Sequence, residues 1–295
     1  MDSFDYYRKA GKIAKEAKEY SKLLVKNNVS YSELAEKIES KIKFLGGEIG
    51  FPVNISVNEI AAHDTAYPED KRTLIKGDVV KIDIGVHVKG YIADTAYTIE
   101  VGSNEHSKLI ESSREALEKS QKMIKLGATY GGVGSVIQES IRKYGFVPVK
   151  NLSGHVLSQN ELHGYAENIP NYANGSKTIF EENSVVAVEP FASTGAGFVI
   201  DTRKGAIYKL LQRKPIRVAK ARQILDYIEK NYSTLPFSKT WLYKKFGNID
   251  FIMNYLEKAE ILHNYAVLKD RMGGFISQAE NTMIVKKEGV EITTE

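Results

Sequence analysis

The sequence predicts an α+β fold: two related halves, an antiparallel sheet covered by helices, and a small helical insertion near the C-terminal end. Three observations carry this. Asp78–Gly85 and Tyr91–Val101 are rich in Val, Ile, Thr and Tyr and flank Val88-Lys89-Gly90, which reads as a hairpin. A helix–helix–Gly-Phe–histidine order occurs twice, ending at His63 and at His155. Between Lys204 and Leu268 the pattern turns mostly helical, and strand-like sequence resumes at Gly274–Val285.

The elements follow in order. Phe4–Lys26 reads as a helix with Ala10, Ile13, Ala17, Tyr20 and Leu24 on one stripe. A second helix opens at Ser30-Tyr31-Ser32-Glu33, a capping-box pattern, and stops at Gly46-Gly47. Gly50-Phe51-Pro52-Val53-Asn54 follows. The second half repeats the layout with helices at Glu105–Leu126 and Gly134–Tyr144, then Gly145-Phe146-Val147-Pro148. Ser184–Val188 is a further strand. In the insertion, Val218–Tyr232, Ser238–Phe246 and Asp250–Ala259 read as helices and Ile261–Leu268 as a strand, like a small winged-helix unit. The expected division is therefore 1–203 with 269–295 as the main domain and 204–268 as the insertion.

Composition narrows the chemistry. The chain has 295 residues, 42% hydrophobic, enough for a large core. Net charge is only +4 with both signs mixed, so a nucleic-acid protein is not indicated. There is no cysteine, which excludes disulfides, thiolate metal sites and a cysteine nucleophile. The N-terminus lacks the basic and apolar regions of a signal peptide, and no apolar run is long enough for a bilayer span. A soluble cytoplasmic protein is the expectation, and nothing demands more than a monomer.

Acids stand where strands normally exclude them. Asp83 lies inside Val79–Gly85, and a hairpin turning near Val88-Lys89 places Asp94 opposite it, or diagonal to it if the turn slips by one residue. Two carboxylates this close repel unless a cation lies between them. Glu189 ends the apolar run Val185–Val188, and Glu280 is embedded in Phe275–Val285. His155 and His163 each sit beside a glycine, and imidazole is the usual neutral metal ligand. Taken singly, each has an ordinary alternative: a solvated edge acid, an end-of-strand acid, a structural histidine. Together, four acids in or at the ends of strands call for a cation.

The order Asp83, Asp94, His155, Glu189, Glu280, with the strings Lys81-Ile82-Asp83-Ile84-Gly85, Gly154-His155, His163-Gly164, Glu189-Pro190-Phe191 and Gln278-Ala279-Glu280, resembles the ligand set of the pita-bread metallohydrolases. The likeness covers nearly the whole chain. Asn58–His63, running into Asp64-Thr65, is similar to the methionyl aminopeptidase branch, and the insertion resembles the helical subdomain of its type II members. The resemblance implies a pita-bread fold and a site for two divalent ions: cobalt, manganese, iron(II) or zinc. Asp83 would chelate one, Asp94 and Glu280 bridge both, and His155 with Glu189 complete the second. A water shared by metals about 3.5–4 Å apart would attack the first peptide bond and release methionine from new chains when the next residue is small. His163 would meet the oxyanion, His63 the scissile nitrogen, and Glu189 would carry the proton. Phe51, Leu162, Phe191 and Tyr265 stand where the family supplies its methionine pocket, although ordinary core accounts for them about as well.

Two rivals remain at this point. Xaa-Pro peptidases share the fold but usually carry an extra N-terminal domain. Relatives that have lost ligands bind RNA or ribosomes, and the insertion's Lys209, Arg213, Lys214, Arg217, Lys220 and Arg222 could give weak contact with ribosomal RNA.

Overall fold

In the computed structural model, which describes residues 2–164 and 167–295, each half is built from two helices laid over an antiparallel sheet. The first half contains α1 (Ser3–Lys22), α2 (Tyr31–Phe44), β1 (Glu48–Val57), β2 (Ile60–Ala62), β3 (Val79–Val88) and β4 (Tyr91–Glu100). Asp2 and Asp5 form a reciprocal capping box on α1, whereas Ser30 caps α2 by accepting from the Glu33 backbone N–H. The sheet order is β1-β3-β4. Ala10, Ile13 and Ala17 of α1 and Leu34, Ile38 and Ile42 of α2 pack on Val53, Ile55, Val80, Ile82 and Ile84 from its strands. β3 and β4 meet with Val88 opposite Tyr91, so Lys89-Gly90 is a two-residue turn. Both turn residues have positive φ, at 53° and 84°, which is the turn that suits the twist of two paired strands.

The second half has α3 (Ser107–Met123), α4 (Tyr130–Lys143), β5 (Val147–Pro148), β6 (Ser153–Val156), β7 (Ile169–Pro170), β8 (Val185–Val188) and β9 (Phe191–Ser193). α4 starts four residues before the expected Gly134, capped by the Thr129 hydroxyl on the Gly132 N–H. Its glycines are not breakers: a side chain on Gly134 would come within 2.3 Å of the Tyr172 carbonyl, so they let the helix lie close on the following loop. After a long strand β10 (Val199–Leu210) come α5 (Ala219–Tyr232), β11 (Phe237–Ser238), α6 (Lys239–Phe246), α7 (Asp250–Lys258) and β12 (Leu262–Asp270). The chain closes with β13 (Ile276–Gln278), β14 (Asn281–Lys286) and β15 (Gly289–Ile292).

The remaining sheets run β11-β10-β12-β2, β13-β9-β5 and β15-β14-β8-β6-β7. The halves are joined where Ala96 of β4 and Glu280 exchange both backbone hydrogen bonds, at 3.3 and 3.0 Å. The helical segment has its own core, from Tyr208 through Ile224, Leu225, Phe237 and Leu256 to Leu262. Residues 204 and 268 both fall inside strands, β10 and β12, which pair with one another. No helix among the described residues is long and apolar enough to cross a membrane.

Candidate metal centre and substrate cavity

The hairpin brings its two aspartates together, but not directly opposite. Asp94 pairs with Gly85, and Asp83 pairs with Ala96. Of the two registers the sequence allowed, the structure takes the diagonal one on the same face, because the turn takes two residues. Their carboxyls still lie within hydrogen-bonding reach of one another. Glu280 is likewise not inside a continuous strand: it occupies the break between β13 and β14, anchored by its bridge to Ala96. Glu189 follows the last residue of β8, and His155 on β6 pairs with Ala187 of β8.

Folding gathers all five residues. His155 Nε2 stands 3.6 Å from Asp94 Oδ2. Asp94, His155 and Glu280 each offer one ligand atom, and these atoms lie within 4.8 Å of one another. The Gln278 side-chain amide reaches Glu189 Oε2 at 3.3 Å, Glu280 Oε2 at 3.4 Å and Asp83 Oδ2 at 3.5 Å, so one neutral donor group touches three carboxyls. Sequence reasoning gave Gln278 no role. The signal was present, a polar residue two positions before an unexplained strand acid.

The electrostatics are those of an under-compensated site. Burial pushes Asp83 up to about 6. Asp94, Glu189 and Glu280 rise well above the usual carboxylate range, first through burial and then through each other's charge. Burial lowers His155 to about 3, with His163 adding to the effect. Asp83 Oδ1, Asp94 Oδ1 and Glu280 Oε1 are buried with no hydrogen-bond partner, and His155 presents Nε2 to them, 3.6 Å from Asp94 Oδ2. Orphaned polar atoms are costly in an interior, and a set of three carboxylate oxygens and one imidazole nitrogen is what a divalent cation would satisfy. The residues present fit such an ion.

Above the acids lies a cavity of about 220 Å³. Phe51, Leu162, Phe191 and Tyr265 all line it, as do His63 and His163. Gly85 lets Phe51 lie across the hairpin: a side chain there would meet the ring at 2.3 Å. Ile207, Pro236 and Tyr265 come from the helical segment and its flanking strands, so that segment forms one wall. Ile207 and Pro236 were not anticipated from sequence, because neither stands out from ordinary core residues.

His63 holds an uncommon conformation, φ 64°, fixed by its backbone N–H donating to Asn54 Oδ1 at 2.8 Å. Its Nδ1 lies 3.2 Å from the Ala266 carbonyl. A carbonyl only accepts, so Nδ1 carries the proton and Nε2 is left as an acceptor. Burial lowers His63 to about 4 and lowers His163 as well, so both rings are neutral at pH 7. The His163 ring packs edge-on to His155 with centroids 4.5 Å apart. Asn54, which pairs with Asp83 across β1 and β3, thus also sets His63 in place; sequence reasoning missed it.

Half of the expected basic cluster is paired with carboxylates. Arg213 pairs with Asp226 and Glu229, Lys214 with Glu260 and Lys209 with Glu161. Arg222 donates to the carbonyls of Ile216 and Arg217.

The model of metallopeptidase family M24 matches residues 5–219 of the sequence. The chain belongs to metallopeptidase family M24. This M24 chain is 44% identical over 289 residues to a protein named methionine aminopeptidase from Pyrococcus horikoshii, covering 97% of each. Its fold matches that of a methionine aminopeptidase from Thermotoga maritima with a TM-score of 0.72 at 22% identity, covering 99% of this chain and 96% of that one. It also matches a thermophilic Arx1 with a TM-score of 0.85 at 15% identity, covering 99% and 90%. Fold likeness alone therefore does not assign the activity. M24 membership and the pita-bread fold are settled by these matches, and the chemistry is that of a metal-dependent peptidase.

Proposed function

We propose that the chain removes the N-terminal methionine from new polypeptides by metal-dependent hydrolysis of the first peptide bond. The observation that carries this reading is the set of buried, unpartnered carboxylate oxygens on Asp83, Asp94 and Glu280, with His155 Nε2 beside them, beneath a cavity of one-residue size that has Phe51, Leu162, Phe191 and Tyr265 among its walls. Asp83, Asp94, His155, Glu189 and Glu280 would hold two divalent ions, with manganese, cobalt, iron(II) and zinc all compatible with oxygen and imidazole donors. Bound there, the ions supply Lewis-acid polarisation of the carbonyl and a water acidic enough to act near neutral pH.

The protein's own groups do the rest. The free α-amine of a chain end, which an internal peptide bond does not offer, would be held by an ion bound to these acids. This restricts cleavage to the first residue. Phe51, Leu162, Phe191 and Tyr265 surround a thioether with apolar and aromatic surface. A small second residue is what the family resemblance implies. His163, a neutral donor beside His155, hydrogen-bonds the oxyanion, and His63 Nε2 accepts from the scissile N–H. Glu189 Oε takes the proton from water and delivers it to the leaving amine.

The five-residue set also weighs against a purely binding role, which would give these buried acids no use. The division into 1–203 with 269–295 and an insertion 204–268 fits the separate helical core between Tyr208 and Leu262. We take the protein to act as a cytoplasmic monomer, with at most weak ribosomal attraction through insertion cations such as Arg217, Lys220 and Arg222.

Chelated protein should release methionine from Met-Gly-Met-Met only after manganese or cobalt is added, and Asp83→Ala should abolish release. Preferential cleavage of a Xaa-Pro peptide would move the assignment to the prolyl branch. No release with any divalent ion from folded protein would favour binding over catalysis.

A further inference from the structure

Lys18 is a lysine on α1 with only 9% of its surface exposed. Its ammonium donates to Thr95 Oγ1 at 2.9 Å, to Thr294 O at 3.2 Å and to Asn281 Oδ1 at 3.3 Å. Three N–H groups thus meet three neutral acceptors, and no carboxylate is among them. Burying a charge without a counter-ion is expensive, so something must repay the burial.

The acceptors show what it does. Thr95 follows Asp94, and its hydroxyl donates onward to the Glu280 backbone carbonyl at 2.8 Å. Asn281 follows Glu280. Next to it, Thr282 Oγ1 both accepts from the Asp94 N–H at 2.7 Å and donates to the Asp94 carbonyl at 2.8 Å. β4 and β14 therefore meet through side chains as well as the single Ala96–Glu280 bridge, and Lys18 sits on the joint from behind. The segment Thr293–Thr294 is buried against it, with Thr294 Oγ1 donating to Asn281 Oδ1 at 2.9 Å. Gly11, earlier on the same face of α1, makes room: a side chain there would come within 2.2 Å of the Thr293 carbonyl.

We propose that Lys18 is a positioning residue, which through Thr95 and Asn281 holds the Asp94 strand against the Glu280 break at the start of β14 and thereby sets the affinity of the acid cluster for its metal ions. The inference rests on the ligand assignment above. The charge also acts at a distance, partly offsetting the repulsion that Glu280 feels from Glu189 and Asp83.

The test is calorimetric titration of manganese into chelated full-length protein. Lys18→Met and Thr95→Val should each weaken binding by about 10- to 100-fold, the usual cost of losing a group that supports metal ligands. Both should lower kcat on Met-Gly-Met-Met while KM stays within about twofold. Lys18→Arg and Thr95→Ser keep the donors and should restore most of the affinity; the neighbouring cavity of about 400 Å³, lined by Lys15, Lys22 and Arg114, can take the larger head group. Unchanged affinity in either folded Lys18→Met or folded Thr95→Val overturns the proposal, and Thr95→Val serves if Lys18→Met does not fold. Lys18→Arg as weak as Lys18→Met also overturns it, since packing would then be the cause. If the wild type itself binds no divalent ion, the ligand assignment falls, and this inference with it.

Discussion

Gly85→Ala probes how the cavity is built without touching any acid. A β-carbon at position 85 would lie 2.3 Å from both Cδ1 and Cε1 of Phe51 and 2.9 Å from Cγ. Ordinary contact begins near 3.4 Å, so the ring must move by about 1 Å or the strands must part. β1 and β3 pair on both sides of this contact, at Ile49–Val86 and Asn54–Asp83, although the register shifts on each side of Phe51, so the backbone takes up part of the strain and the ring the rest. Phe51 is 5% exposed and lines the substrate cavity, so the open direction is into that cavity. Filling part of about 220 Å³ with a displaced ring should raise KM for Met-Gly-Met-Met about tenfold or more, with a smaller change in kcat. Overpacking should also cost about 1–3 kcal/mol of stability. The decisive assay is a double-mutant cycle with Phe51→Leu, which removes the clash. Kinetics and thermal unfolding would be measured on all four proteins. Phe51→Leu should recover much of the KM lost in Gly85→Ala, with a coupling energy of about 1 kcal/mol or more. If the two effects simply add, the displaced ring is not the cause, and Gly85 acts instead through the nearby Asp83.

Other consequences can be checked separately. Manganese at about 100 times its dissociation constant should stabilise the wild type by about 2.7 kcal/mol; the shift should largely vanish in Glu280→Gln, and equal stabilisation of both would remove Glu280 from the ligand set. Burial pushes Glu39 up to about 7, with the Trp241 indole N–H, 2.9 Å from Oε2, pulling the other way. Its folded value is above its ordinary 4.5, so its contribution to stability is full below pH 4.5 and lost as pH rises through 7. Glu39→Gln should therefore be more stable than wild type at pH 8, by up to about 3 kcal/mol, and no more stable at pH 4; pH-dependent thermal unfolding decides. Lys209, Arg213 and Lys214 pair with carboxylates, whereas Arg217, Lys220 and Arg222 have none among the described residues, so any RNA binding by the cluster should fall with salt at a log–log slope no steeper than about −3, and a slope near −5 would show that those pairs open for RNA.

Much of the fold was readable because strong local patterns agreed with their tertiary surroundings. The β3–β4 hairpin is the clearest case: its turn and both strands follow from Val, Ile, Thr and Tyr flanking Lys89-Gly90. β10 was not readable. Residues 200–204 of that strand are all exposed, and a run of Asp, Thr, Arg and Lys gives no period-2 signal. The acids were legible because strand interiors reject them, which made Asp83 and Glu280 conspicuous. Register was not legible to one residue, so Asp83 and Asp94 emerged as diagonal neighbours. Gln278 and Asn54 escaped notice for another reason. An amide can be satisfied almost anywhere, so only coordinates show that Gln278 spans three carboxyls and that Asn54 ties His63 to the Asp83 strand.

Two buried lysines near the site sharpen the case for a cation. Lys81 donates to the carbonyls of Ile276 at 2.8 Å and Asn58 at 2.9 Å, and Lys18 donates to a hydroxyl, an amide and a carbonyl. Neither forms an ion pair with the acids, although both lie within a few residues' reach of them. Their amine N–H groups tie strands from the two halves together. The packing thus leaves the carboxyl cluster only partly compensated, held between the apolar cores on either side. A fold selected only for stability would replace such acids with apolar residues, since doing so is commonly neutral or favourable. Their presence at the floor of a cavity makes sense when a divalent ion completes the charge balance, and the stability given up without metal is recovered as binding energy when it is present.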